Sequence, residues 1–120
     1  MPRYVILEHA SNGVHWDIML EVGDTLRTWA VDVPIAPGWA IPARTLANHR
    51  VAYLDYEGPI SRDRGTVKSW DSGTYRVLEW SETVVRVALA GHQLLGLMEL
   101  CAVAGTAGSW SLVFLPGRTD

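Results

Sequence analysis

The chain has little of what commonly marks a function class. It carries one cysteine, Cys101, in 120 residues, so no internal disulfide can form. That suits a reducing, cytoplasmic setting. The N-terminus has no charged segment leading into a long apolar run, so no signal peptide is expected. No stretch approaches the ~20 uninterrupted apolar residues of a membrane-spanning helix, and no membrane association is expected. A glycine-rich phosphate cradle is absent, because Gly65 and Gly73 read as isolated turn glycines, which argues against nucleoside triphosphate chemistry. Positive charge is scarce as well. Ten Lys and Arg stand against 13 Asp and Glu, a formal charge of −3, so net charge does not advertise a nucleic-acid binder. Lys68 is the only lysine. The other cations are arginines, the better residue for bidentate phosphate contacts. Contact with DNA would run through a few local arginines and a metal rather than a broad basic face.

What is present points to a packed β domain. Apolar residues make up 48% of the chain, and six of them are tryptophans, a supply suited to sheet packing. Residues 1–120 are read as one domain, without internal repeats. Strands are expected at Arg3–His9, Val14–Val22 and Thr25–Asp32, joined by turns at Ser11–Gly13 and Gly23–Asp24 into a meander. Three prolines and Gly38 make 34–42 a loop. Ala43–Asn48 reads as a short helical turn or an extended lead-in, and Val51–Tyr56 as a short strand. Asp71-Ser72-Gly73 reads as a hairpin turn between Thr66–Trp70 and Thr74–Trp80. Thr83–Ala90, Gln93–Val103 and Trp110–Leu115 follow as strands, and Gly117–Asp120 as a frayed tail. Many short strands at this spacing imply a sandwich or barrel.

Chemistry concentrates in His15-Trp16-Asp17-Ile18-Met19-Leu20-Glu21. Alternate side chains of a strand face opposite ways. Val14, Trp16, Ile18, Leu20 and Val22 therefore form the core side, and His15, Asp17, Met19 and Glu21 share the other face. His9 ends the preceding strand, so a hairpin brings it beside His15. Two histidines and an aspartate with open positions suit Mn²⁺ or Zn²⁺; the same spacing also occurs on ordinary solvated strands. A second cluster is Asn48-His49-Arg50 with Tyr53, Asp55 and Glu57. Here His49 suits an acid, base or phosphate ligand, and Tyr53 a donor to a phosphoryl oxygen. Arg50, with Arg62 and Arg64, suits phosphate neutralisation. A solvated loop is the plain alternative. His92 is expected on the surface, and Cys101 in the core.

These segments resemble the 3′-phosphoesterase domain of bacterial DNA ligase D. Tyr4-Val5-Ile6-Leu7-Glu8-His9 followed by His15-x-Asp17 resembles its strand–His–turn–His-x-Asp pattern. Leu26–Val31 resembles the next strand, and His49-x-x-x-Tyr53-x-x-Tyr56-Glu57-Gly58 its second active-site segment. Gly65-Thr66-Val67-x-x-Trp70-Asp71-x-Gly73-Thr74-Tyr75, Gly91-x-x-Leu94-x-Gly96 and Trp110-Ser111-Leu112 follow in order, so the likeness runs along nearly the whole chain. It implies a closed or nearly closed antiparallel β-barrel with a short helical segment and long loops. It also implies a divalent metal, Mn²⁺ first, on His9, His15 and Asp17, with His49 and Tyr53 at the scissile phosphate. The implied activity removes 3′-terminal ribonucleosides and 3′-phosphates during end joining, with a nucleic-acid 3′ end and separately encoded ligase or polymerase proteins as partners. Three positions depart from the pattern. Met19 stands where the family has arginine, Asp32-Val33-Pro34 where it has lysine, and Ala47 where it has glutamate. Arg50 is the nearest substitute cation. The departures favour a rival reading, a metal-binding module that holds DNA ends or a repair partner without cleaving. A small phosphodiester is a third possible substrate, in keeping with the low positive charge.

Overall fold

The computed structural model describes residues 1–119. Its strands are β1 (Arg3–Ala10), β2 (Val14–Val22), β3 (Thr25–Val31), β4 (Ile41–Arg50), β5 (Gly58–Pro59), β6 (Thr66–Trp80), β7 (Val84–Gly91), β8 (Leu95–Ala102) and β9 (Ser109–Pro116). The ladder runs β1-β2-β3-β4-β9-β8-β7-β6-β5, and a β1–β6 pairing closes it into an antiparallel ring. Closure removes the exposed edges that an open sheet would offer. The mainly β, near-closed architecture expected from the sequence is therefore what forms.

Alternation along the strands gives this ring two apolar layers. Inward side chains such as Tyr4, Ile6, Ile18, Leu20, Trp29 and Leu112 build the main core. Outward residues of the same strands, Val5, Leu7, Met19 and Leu26, join Leu54 and Val67 in a smaller cluster on the outside of the wall. The face of β2 opposite the core is thus covered, not open. On its core face, Ile18 and Leu20 are fully buried, whereas Val14 and Val22 at the strand ends are exposed.

Several expectations need correction. Ala43–Asn48 is extended, inside β4. Val51–Tyr56 is not a strand. Val51–Leu54 is a 3-10 turn, η1, which folds Leu54 down onto the outer cluster. Asp71-Ser72-Gly73 makes no hairpin either. The segment lies within the single long strand β6, which pairs first with β1 and then with β7. A Cβ on Gly73 would sit 2.1 Å from the Ala90 carbonyl oxygen. Close backbone approach, not a turn, demands this glycine. Cys101 is exposed rather than in the core, because Met98 and Leu100 take the inward positions of β8. His92 lies on the surface, as expected. In the expected tail, the Gly117 N–H bonds to the Leu95 carbonyl and Arg76 to the Thr119 carbonyl; Asp120 lies outside the described residues.

Candidate metal centre

The turn Ser11–Gly13 pairs His9 of β1 with His15 of β2. Asp17, two residues on, shares their outward face. One ligand atom from each of the three lies within 4.8 Å of the others. The His9 Nδ1 to His15 Nε2 distance is 3.1 Å, that from His15 Nε2 to Asp17 Oδ1 is 3.1 Å, and that from His9 Nδ1 to Asp17 Oδ2 is 3.5 Å.

The surroundings orient these ligands. His9 Nε2 lies 2.6 Å from the Arg64 carbonyl oxygen, which can only accept. The Nε2–H donates to it, so Nδ1 of the neutral ring turns a lone pair towards His15 and Asp17. A ligand histidine held by a backbone carbonyl through its other nitrogen is a common arrangement in metal sites. The carbonyl sits on a loop pinned from both sides. The Ile60 N–H bonds to the Gly65 carbonyl at 2.8 Å, and a Cβ on Gly65 would collide with the Ala10 carbonyl at 1.9 Å. Arg62 and Asp63 take left-handed conformations, with φ of 62° and 54°.

Asp17 is buried to 3% exposure, and its Oδ1 receives no hydrogen bond among the described residues. Burial pushes its carboxyl above the ordinary range, and the neighbouring imidazoles of His15, His9 and His49 oppose that rise without cancelling it. A single proton on His15 Nε2 cannot satisfy both His9 Nδ1 and the carboxylate. With its proton on Nδ1 instead, His15 would add an Nε2 lone pair to that of His9, and together with the orphaned carboxylate oxygen these make a set that a divalent cation would complete. On the donor set alone, these residues fit such an ion.

His49 and Tyr53 belong to the same place. Between the Leu26–His49 and Thr28–Leu46 pairs, β4 carries one extra residue. This bulge precedes His49, and bulges commonly re-aim side chains beside sites. His49 Nδ1 donates to the Ala47 carbonyl at 2.8 Å, which leaves Nε2 for another partner. The ring meets Tyr53 edge-on at 5.8 Å. Leu7, His9, Asp17, His49, Tyr53 and Arg64 are among the residues that line a cleft of about 120 Å³.

Arg50 is placed differently. It lines an adjoining cleft of about 280 Å³ with Tyr56, Pro59 and Ser61, and the two clefts share Tyr53 and Ile60 as a common wall. Arg64 lines the smaller one. Its guanidinium bonds to Ser61 through the carbonyl at 2.9 Å and the hydroxyl at 3.2 Å. In the sequence it was only one of two arginines in a loop; nothing local marked its carbonyl as the partner of His9. Of the departing positions, Met19 is buried in the outer cluster and lines the cleft, Val33 is exposed, and Ala47 supplies the carbonyl that holds His49.

A family model described as "DNA Ligase D 3'-phosphoesterase domain" matches residues 7–102. The chain belongs to the DNA ligase D 3′-phosphoesterase family. The match covers His9, His15, Asp17, His49 and Tyr53. Among relatives of this phosphoesterase-family chain, the multifunctional non-homologous end joining protein LigD of Pseudomonas aeruginosa is 30% identical over 125 residues. That alignment takes in 92% of this chain and 15% of the relative. The corresponding DNA repair protein of Mycobacterium tuberculosis is 32% identical over 77 residues, 60% of this chain and 10% of the relative. The chain thus spans a small fraction of the length of both. Among the described residues no helix is long and apolar enough to cross a membrane.

Proposed function

We propose that the chain is a divalent-metal-dependent phosphoesterase domain that removes 3′-phosphates or 3′-terminal ribonucleotides from nucleic-acid ends in DNA repair by end joining. The observation that carries this reading is the orphaned Asp17 Oδ1 facing two histidines in a cleft shared with His49 and Tyr53. His9, His15 and Asp17 would hold the ion, Mn²⁺ first and Zn²⁺ as the alternative. When bound, the ion withdraws charge from a phosphoryl oxygen and acidifies a coordinated water. The protein's own groups do the rest. His49, with Nδ1 engaged by Ala47, presents Nε2 to exchange a proton with the ester or the phosphoryl group. The Tyr53 hydroxyl donates to a phosphoryl oxygen. Arg64 is the one arginine lining this cleft among the described residues, and it offsets phosphate charge. The covered outer face excludes water behind the ligands, which strengthens each of these contacts. The names of the relatives support end-joining repair proteins as partners; ligase or polymerase proteins, encoded separately or joined to this domain, are the ones this reading expects.

One observation favours a second reading, in which the domain binds ends without cleaving them. Where the family has an arginine, Met19 is fully buried in an apolar cluster. Loss of one preorganised donor typically costs about 10²–10³ in rate.

Release of the terminal group from 3′-phosphate and 3′-ribonucleotide primer–templates separates the two, measured with Mn²⁺ and with chelator on wild type and His15→Ala. Metal-dependent release that disappears in His15→Ala is expected. Retained metal and DNA binding without release would establish the binding module instead.

A further inference from the structure

A third cavity, of mixed polar and aromatic lining, lies on the core side of the barrel wall. It holds about 460 Å³ and is lined by Arg27, Trp80, Ser81, Glu82, Val85 and Trp110. Trp80 ends β6, Ser81 and Glu82 form the following turn, and Val85 and Trp110 stand near the starts of β7 and β9. The cavity therefore opens at one mouth of the barrel. Arg27 packs on the main core, with its guanidinium 4.3 Å from the Trp29 ring centre and 6.0 Å from that of Trp110. His9, His15 and Asp17 sit on the outer face instead.

Arg27 is costly to place there. It is half-buried, and burial alone lowers its pKa, with no acidic group raising it. Its hydrogen bond to the Thr28 carbonyl is long, at 3.4 Å, and among the described residues no carboxylate pairs with it. Other arginines in this chain do find carboxylates: the exposed Arg3 with Asp55 and Arg44 with Asp32, and Arg86, half-buried like Arg27, with Glu99. A planar fork of donors stacked on indole and lacking an anion is preorganised for one. Trp80, 38% exposed, adds a ring edge-on to Trp29 at 6.4 Å and leaves aromatic surface at the opening. Exposed indole favours a flat ring, since base–aromatic stacking tolerates any base. Glu82 on the rim repels an anion from the turn and accepts from hydroxyl or amino donors. The volume suits one small ligand.

We propose that this barrel-mouth cavity binds a nucleoside phosphate, with the phosphate on Arg27 and the base against Trp80. The proposal stands apart from the metal-centre reading. The nucleotide comes either free or as one unit of a single strand, and the two sources are told apart by the ligand used.

The experiment is a two-dimensional NMR titration following the Trp80 indole N–H, run on His15→Ala so that binding at the outer cluster does not contribute. The probes are AMP, adenosine, inorganic phosphate and a short single-stranded oligonucleotide. A saturable Trp80 shift with AMP is expected, weakened about tenfold or more in Arg27→Met and in Trp80→Ala, the latter followed through the Trp110 indole. Adenosine is expected to bind more weakly than AMP, and phosphate to compete without reproducing the Trp80 shift. Saturation by the oligonucleotide with weak AMP binding assigns the site to a nucleotide within a strand; the converse assigns it to a free mononucleotide. If Arg27→Met does not fold, Trp80→Ala and the adenosine-to-AMP ratio carry the test. No saturable shift with either AMP or the oligonucleotide overturns the proposal, as do phosphate shifts equal to those of AMP or affinities indifferent to the substitutions.

Discussion

Asp17 and Asp71 are equally buried carboxylates, each 3% exposed, in one small barrel. Their surroundings differ completely. Asp71 accepts from the Tyr4 hydroxyl at 2.5 Å, the Gln93 N–H at 2.8 Å and the Leu94 N–H at 3.1 Å. It ties β1, β6 and the β7–β8 turn together. Asp17 has only imidazole nitrogens nearby and keeps one oxygen without a donor. A buried carboxylate with donors on both oxygens strengthens the fold, whereas one with an oxygen left unmatched costs stability and needs a ligand or proton to complete it. Burial alone therefore does not mark a functional acid; the list of donors does.

The largest effect that tests this contrast is on activity. Asp17→Ala is expected to lower metal-dependent 3′-end release by about 10³ or more, by analogy with removal of a preorganised electrostatic group. Urea denaturation of the metal-free variant is expected to stay within about 1 kcal/mol of wild type, or above it, because a costly buried carboxylate has been removed. A loss of several kcal/mol would instead make Asp17 structural.

Asp71→Ala should do the opposite. Three donors lose their acceptor, so stability falls by about 3 kcal/mol, while the variant that remains folded at low temperature still binds metal. Equal loss of metal affinity in both variants would break the comparison.

Third in size is the ion itself. At a Mn²⁺ concentration near 100 times its Kd, linkage raises the stability of wild type by about 2.7 kcal/mol. Chelator removes the gain, and Asp17→Ala never shows it. Thermal melts with and without Mn²⁺ read the difference.

The smallest effect sharpens the Asp71 side. Tyr4→Phe deletes one of three donors and costs about 1–2 kcal/mol. Burial, then the bond to Asp71, raises the Tyr4 phenol well above its ordinary value near 10. Tyr75 is likewise raised to about 12, first by burial and then by the charge of Glu21. A phenol whose folded pKa exceeds the unfolded one contributes stability that is complete below pH 10 and lost as pH rises through the folded value. Stability should fall between pH 10 and about 12, and less steeply in Tyr75→Phe.

The outward set His15, Asp17 and Met19 was legible because strand alternation does not depend on context. The partnership of His9 with His15 followed from a short turn between two clear strands. Asp71 and Gly73 were misread for the opposite reason. Asp-Ser-Gly is a strong local turn signal, but here the glycine answers to the Ala90 backbone and the aspartate to donors about twenty residues further on and to Tyr4 far upstream. Val51–Leu54 had strand-like composition, yet the outer cluster gains Leu54 only if the chain coils.

The sequence by itself determined the β character of the chain, the faces of its strands, the residues able to ligate a metal and the family to which they belong. All of these depend on residue type and near spacing. Tertiary structure alone decided that His9 is held by the carbonyl of Arg64, that Asp17 Oδ1 lacks a donor, that Arg64 rather than Arg50 lines the cleft, and that Arg27 is stacked without an anion. Each of these depends on which distant groups arrive to donate, accept or exclude water. That is set by barrel closure and the packing of loops, which no local pattern encodes.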